Sequence, residues 1–459
     1  MTERLLIVGG DAGGMSAAAT ARRRVPTDKL EIVAFERGSY TSYAACGLPY
    51  FVADMVPSAD RLVARSPEKF RAQGIDARTG HDVVEIDLER RALRVRDTDA
   101  GTESWEPFDQ LLVATGATPL RPPLPGVDAG GVHGIQTIGD GIALRSQIDT
   151  GEATRAVVVG GGYIGLEMAE AMVRRGLSVA LVEMAAQPMG TLDPDIGALV
   201  ADALRAMGVS VHLGTAVEGF ETDAGGNVTG VATTAGTLPA DVVVLGLGVR
   251  PNASLAADAG IAVGVTGGIV TDRRMATSAE GVWAAGDCVE TYHRVSRRPV
   301  AIALGTHANK QGRVVGVNAT GGYLAFPGVI GTAVMKVCEY EVARTGLTER
   351  EASAAAFSSV AATIDGSTRA HYYPGATPIT VKVVAEKMTG RLLGAQIIGR
   401  EGAAKRIDVI AAAIWNEMTA EELSQLDLGY APPFSPVWDP VLIAARKAAE
   451  AVTDAGTTG

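Results

Sequence analysis

Cysteine is scarce in this chain: 459 residues carry only Cys46, Cys288 and Cys338. Three cysteines make no disulfide framework, so a reducing, cytoplasmic home is expected. A basic excess is also missing, with 41 Lys and Arg against 52 Asp and Glu and a net charge of −11. That excludes the whole-protein positive field of a nucleic-acid binder. No run approaches the roughly 18 apolar residues of a membrane helix. The opening MTERLLIVGG has no charged region leading into a hydrophobic block and cleavage site, so neither a membrane partner nor a secretory signal is expected. Aromatic residues are only 5%, and the six histidines show no metal-ligand spacing.

What the chain does have is apolar bulk, 47%, and 56 glycines without a collagen period. The length fits roughly three domains. So much glycine in a globular composition points to tight turns and close approaches of backbone to ligand. Two stretches repeat one grammar of strand, glycine turn, helix and strand. The first runs RLLIV, GGDAGG, MSAAATARRR, EIVAFE; the second runs RAVVV, GGGYIG, LEMAEAMVRRG, SVALVE. They start about 150 residues apart, which predicts two nucleotide-binding folds.

A glycine turn between strand and helix lets backbone N–H groups approach a pyrophosphate at a helix N-terminus. In the first turn Gly9 and Gly14 hold the outer positions of G-x-G-x-x-G, but Asp11 replaces the middle glycine. Glu36 ends the next strand 22 residues after Gly14, placed for ribose hydroxyls. Thr115-Gly116 and Gly286-Asp287 add two more strand-end turns, Asp287 being suited to a ribityl hydroxyl; this half reads as a flavin site. The second turn is complete: Gly160, Gly162 and Gly165, with Ile164 inside it and Glu183 18 residues on. Glu183 would bind the adenosine hydroxyls and repel a 2′-phosphate. No Arg or Lys follows it in MAAQPMG, which favours NADH over NADPH.

Prolines at 119, 122, 123 and 125 place a border near 119, and a strand ending near 246 places a second. Expected units are 1–118, 119–245, 246–325 returning to the first domain, 326–446 as an α+β domain, and a frayed tail at 447–459.

Cys46 lies in SYTSYAACGLPY, just after the first glycine turn unit. With VGGDAGG, GGGYIGLE, GVRPN, AAGDC, HYYPG, GREGAAKRIDV and YAPPFSPVWDP, the chain resembles the pyridine nucleotide–disulfide oxidoreductases. It is most similar to their single-cysteine branch, which holds coenzyme A disulfide reductase, NADH oxidase, NADH peroxidase and persulfide reductase. The resemblance implies an α/β fold with two Rossmann-like domains, for FAD and for NADH, and an α+β C-terminal dimerisation domain in a homodimer. It implies that Cys46 faces the flavin and cycles as one thiolate, kept charged by a nearby positive field or helix N-terminus. It also implies cofactor contacts from Ser42, Gly248, Gly305 and Ala308. Arg23, Ser42 and the position of Thr20 line the branch's coenzyme A pocket. Tyr372 and Tyr430 match tyrosines that a partner subunit brings to the cysteine. The oxidase and peroxidase relatives carry His where this chain has Ala12, and relatives often read Asn where it has Ala45.

These residues predict an FAD-dependent enzyme that passes electrons from NADH through flavin to Cys46, reducing a small disulfide or persulfide, a coenzyme A derivative by the resemblance. One alternative is an NADH oxidase using a cysteine sulfenic acid. Another is a redox-responsive electron-transfer protein with a protein partner.

Overall fold

The computed structural model describes residues 2–457. Two five-stranded parallel sheets share the connectivity of four strands, while the fifth comes last in the chain in the first sheet, Val282–Ala284, and first in the second, Val132–Gly134. The first runs Asp76–Thr79, Leu30–Glu36, Glu3–Val8, Gln110–Val113, Val282–Ala284 from edge to edge. The second runs Ser210–Leu213, Ser178–Glu183, Arg155–Val159, Val242–Leu245, Val132–Gly134. Their central strands, LLIV and AVVV, are buried throughout, as the near-continuous β-branched and leucine runs of a parallel sheet covered on both faces require. Each unit also inserts a three-stranded antiparallel sheet ahead of its fourth parallel strand, at 81–107 and 217–239. The fold is therefore mixed α/β with a duplicated core.

The chain leaves the first sheet through the strand Ala117–Pro119 and returns through Val249–Pro251, and these two strands pair antiparallel. On return, the helix Gly305–Asn318 packs along the opening helix Ala12–Arg24. Glycine permits the close approach: a Cβ on Gly312 would meet Gly13 O at 2.2 Å, and one on Gly316 would meet Ala17 O at 2.6 Å.

The C-terminal part is an antiparallel five-stranded sheet in the order Ala333–Val337, Tyr340–Gly346, Leu392–Gly399, Pro378–Glu386, Ser359–Ser367. The last of these escapes the sequence pattern, because SVAATIDGS is small and polar and half-exposed at the sheet edge. Behind the sheet, a 3₁₀ turn at Ala404–Arg406 leads into the helix Ile407–Trp415. The expected tail is corrected. The helix Pro440–Thr457 continues through it, and residues 458–459 lie outside the described residues. Val441, Ala444, Ala445 and Ala448 recur at helical spacing and bury themselves in the core of this sheet, which overrides the polar look of the terminus. Among the described residues no helix is long and apolar enough to cross a membrane.

Candidate active site: two glycine turns and one exposed cysteine

Both glycine turns are built by the same steric rule. Gly9 has φ +110 and Gly160 φ +102, a region costly for any residue with a Cβ. A Cβ on Gly9 would sit 2.1 Å from Ala114 O, and one on Gly160 2.5 Å from Gly246 O. A Cβ on Gly14 would lie 2.0 Å from Gly9 O, and one on Gly165 1.9 Å from Gly160 O. The outer glycines are therefore demanded by helix and strand lying against one another. The middle position differs. Gly162 has extended backbone and its Cβ would meet only Gly246 O, at 3.9 Å. Asp11 takes the same extended conformation without a clash. Ile164 is half-buried in the first turn of the helix Tyr163–Arg174.

The two glutamates also act alike. Glu36 Oε2 accepts from Gly10 N at 2.9 Å and Oε1 from Gly38 N at 2.7 Å. Glu183 Oε2 accepts from Gly161 N at 2.6 Å and Oε1 from Ala185 N at 2.8 Å. Each carboxylate thus ties its turn to the end of the neighbouring strand and stands beside the turn's backbone.

Around the first turn the remaining predicted residues converge. Gly116 and Gly286 have positive φ, and a Cβ on Gly286 would reach Ala308 Cβ at 3.6 Å. The first turn of Gly305–Asn318, with Ala308 buried, therefore faces Gly286-Asp287. Thr115 donates its hydroxyl to Asn252 O at 2.6 Å, bracing the crossover near Gly248. Burial alone pushes the Asp287 carboxyl up to about 6. Burial likewise raises Asp11 to about 6, with Glu36 and Asp287 adding to the effect and the Tyr43 N–H opposing it. A cradle of strand ends and helix N-termini that half-buries two carboxyls, Asp11 meeting backbone N–H groups and Asp287 shifted by burial alone, fits a ligand rich in hydroxyl and N–H groups. That is the chemistry of FAD.

Cys46 stands beside this cradle. Ser42, itself at φ +47, donates its N–H to Gly10 O at 2.9 Å, and Tyr43 N–H donates to Asp11 Oδ1 at 3.2 Å. The loop then turns through the 3₁₀ segment Ala45–Gly47, where Cys46 is exposed, into the helix Leu48–Val52. Of the two expected supports for a thiolate, the sulfur does stand just ahead of a short helix, but no positive group is among the charges acting on it. Burial raises the Cys46 thiol above its ordinary value, and the charges acting on it are Glu167, Asp287 and Asp11, all carboxylates. Glu167, on the helix after the second turn, is itself pushed up to about 7 by burial and by Glu170. Near neutrality it is partly protonated, which softens its repulsion of a thiolate. The sequence reading missed both Glu167 and the stitching role of Asp11. GGGYIGLE shows the former only as a helix residue, and Asp11 stood there merely as a broken glycine.

The other candidates are more dispersed. Thr20 is buried at the helix contact and its hydroxyl accepts from Arg23 Nη2 at 3.1 Å, so it reaches a ligand only through exposed Arg23. Tyr372 and Tyr430 stand beside one another, 66% and 49% exposed. Phe434, Val437 and Trp438, in the segment after Tyr430, are exposed too. Among the described residues no hydrogen bond joins either tyrosine to Cys46 of the same chain. Cys288 is fully buried, its thiol directed at Ala285 O, a packing residue.

Comparison with known proteins agrees with this geometry. The chain is 39% identical over 444 residues, 96% of its length and 97% of the relative's, to a protein named NAD(P)H sulfur oxidoreductase (CoA-dependent) from Pyrococcus abyssi. It is 35% identical, over 97% of its length and 98% of the relative's, to an NADH oxidase from Methanocaldococcus jannaschii. The solved NAD-dependent persulfide reductase of A. fulgidus superposes with a TM-score of 0.94 at 38% identity, covering 97% of this chain and 83% of that one. Residues 332–440 match the model of a pyridine nucleotide-disulphide oxidoreductase dimerisation domain. Residues 3–312 match the model for pyridine nucleotide-disulphide oxidoreductases themselves, and the chain belongs to that family.

Proposed function

We propose that this enzyme uses NADH to reduce a small disulfide or persulfide, of the coenzyme A class, at Cys46. One observation carries the reading. The loop bearing the exposed sulfur is hydrogen-bonded through Ser42 and Tyr43 to the very turn whose carboxylates call for a dinucleotide. We assign residues 1–118 and 246–325 to FAD, 119–245 to NADH and 326–446 to a homodimer contact. The free cysteines fit a reducing compartment such as the cytoplasm.

FAD, held by Gly9, Gly14, Glu36, Ser42, Thr115, Gly116, Asp287, Gly305 and Ala308, would supply a two-electron relay between nicotinamide and sulfur. Gly160, Gly162, Ile164, Gly165, Glu183 and Gly248 line the NADH side, and Glu183 selects against a 2′-phosphate. The Cys46 thiolate attacks one sulfur of the substrate, RSSR, forming Cys46–S–S–R and expelling RS⁻, which takes a proton. Two electrons from one NADH then break the mixed disulfide, releasing the second thiol and restoring the thiolate. The exposed pair Tyr372 and Tyr430, on a second copy of the chain, offers a phenol proton to the leaving sulfur. Arg23 offers its charge to phosphates of the thiol carrier, whose name the Pyrococcus abyssi relative also bears.

The test measures NADH-dependent thiol release from coenzyme A disulfide and persulfide, and oxygen uptake, for wild type and Cys46→Ser. Thiol release should fall by about a hundredfold or more in the variant. A Cys46→Ser enzyme with undiminished thiol release would sink the reading. Oxygen turnover well above thiol release would favour the oxidase instead, against which Ala12 argues.

A further inference from the structure

The helix that follows Cys46 belongs, by packing, to the wrong body. Leu48, Phe51 and Val52 are buried not in the core of the first sheet but in that of the second, with Ile138, Leu144, Leu166 and Met172. Gly141 makes room for them, since a Cβ there would touch Leu48 at 3.0 Å and Phe51 at 3.5 Å. Two arginines of the second body grip the helix end. Arg145, on the helix Ile138–Asp149, donates to Phe51 O at 2.9 Å and Val56 O at 3.0 Å. It also pairs with Asp54 and lies over the Phe51 ring at 4.7 Å. Arg175, the residue after the helix Tyr163–Arg174, donates to Val52 O at 3.0 Å. Asp149 bridges them, bonded to Arg175 and 3.6 Å from Arg145 Nε. Both guanidinium side chains are more than four-fifths buried. The donors add to the Asp54 N–H already on Phe51 O and reach past the helix end to Val56 O, and Arg145 pairs with Asp54, which stands at φ +60, a conformation uncommon for a residue with a Cβ.

Cys46 is thus suspended between two bodies. Ser42 and Tyr43 tie the loop before it to the first glycine turn, and the clamp ties the helix after it to the second body. We infer that Arg145, Asp149 and Arg175 are positioning residues for Cys46, fixing the sulfur's depth in the site by locking its helix to the dinucleotide-binding body that follows. Their action is mechanical: they touch backbone beyond the cysteine and no reacting atom. The inference rests on the reading of Cys46 as the reacting sulfur, and its test does not depend on turnover.

The experiment follows alkylation of Cys46 by iodoacetamide, resolved by peptide mass spectrometry, against pH. It compares wild type, Arg145→Met with Arg175→Met, Arg145→Lys with Arg175 intact, and Asp149→Asn. Arg155→Met, which breaks an ion pair to Asp241 elsewhere in the same body, is the control. The clamp holds the thiol in a partly desolvated position beside Glu167, so release should lower the midpoint of the alkylation profile by about half a unit. The rate at neutral pH should rise about threefold. Arg145→Lys should recover part of the wild-type profile, and Arg155→Met all of it. Should the double variant fail to fold, Asp149→Asn, which leaves the carbonyl bonds and removes only the bridge, should move the profile in the same direction by less. A folded double variant, or Asp149→Asn in its place, with the wild-type profile would overturn the inference. Full turnover of Cys46→Ser would instead overturn the assignment of the sulfur, while the alkylation profiles would still report on the clamp.

Discussion

The two glycine turns share the order of the four strands around them, backbone and a glutamate that ties the turn to the next strand, yet one has Asp11 where the other has Gly162. The difference separates what the fold needs from what a ligand needs. Outer glycines are required by the chain itself, because a Cβ would lie about 2 Å from a carbonyl oxygen in both turns. The middle position is free of such contact, so its residue is chosen by what must approach it. In the second turn glycine leaves the backbone open to close approach. In the first, Asp11 gives up that freedom and accepts from the Tyr43 N–H, which ties the turn to the loop bearing Cys46.

The comparison breaks most visibly at the outer glycines. Gly14→Ala and Gly165→Ala should each destabilise the protein by about 3 kcal/mol or more, with flavin lost in the former and NADH binding in the latter. Denaturant unfolding and flavin content check this; a cost below about 1 kcal/mol for either would mean the turns tolerate a shift. Next come the paired glutamates. Glu183→Ala leaves two backbone N–H groups without their acceptor and should weaken NADH about tenfold or more, narrowing the preference over NADPH, as read by titration with both cofactors.

The carboxyl of Asp287 sharpens the contrast further. Its folded-state pKa is raised from 3.8 to about 6, so the folded protein binds a proton more tightly than the unfolded one. The associated stability is fully present below pH 4 and is lost as pH rises through 6. In flavin-free protein, Asp287→Asn should therefore be more stable than wild type by about 1–2 kcal/mol at pH 8, converging on it near pH 4. Denaturant midpoints at the two pH values decide it, and a variant less stable at pH 8 would show that the carboxylate is well paired. The smallest effect belongs to Gly162→Ala, which should change stability by less than about 1 kcal/mol while weakening NADH binding. A large loss of stability there would remove the distinction between middle and outer positions.

The repeated strand–turn–helix pattern was readable because each unit's residues are near neighbours in sequence, and the glutamates sit at a fixed distance from their glycines. The long-range features were not. Arg145 and Arg175 reach carbonyls 94 and 123 residues away, and nothing local marks either as more than a helix charge. Glu167 is perturbed by burial, which a sequence does not show. A positive field at Cys46 was expected from the chemistry of thiolates, and the structure places carboxylates there instead. Residues 447–457 of the helix Pro440–Thr457 read as a tail in sequence because the helix's apolar face is mostly alanine, a weak signal until the sheet beneath it is known.

The most direct measurement is an anaerobic NADH titration of protein first oxidised with coenzyme A disulfide and freed of excess. Wild type should consume about two equivalents per chain and release one thiol, with a long-wavelength absorbance band as the Cys46 thiolate forms, whereas Cys46→Ser should consume about one and release none. Equal uptake by the two proteins, with no thiol released by wild type, would contradict a sulfur in electronic contact with the flavin.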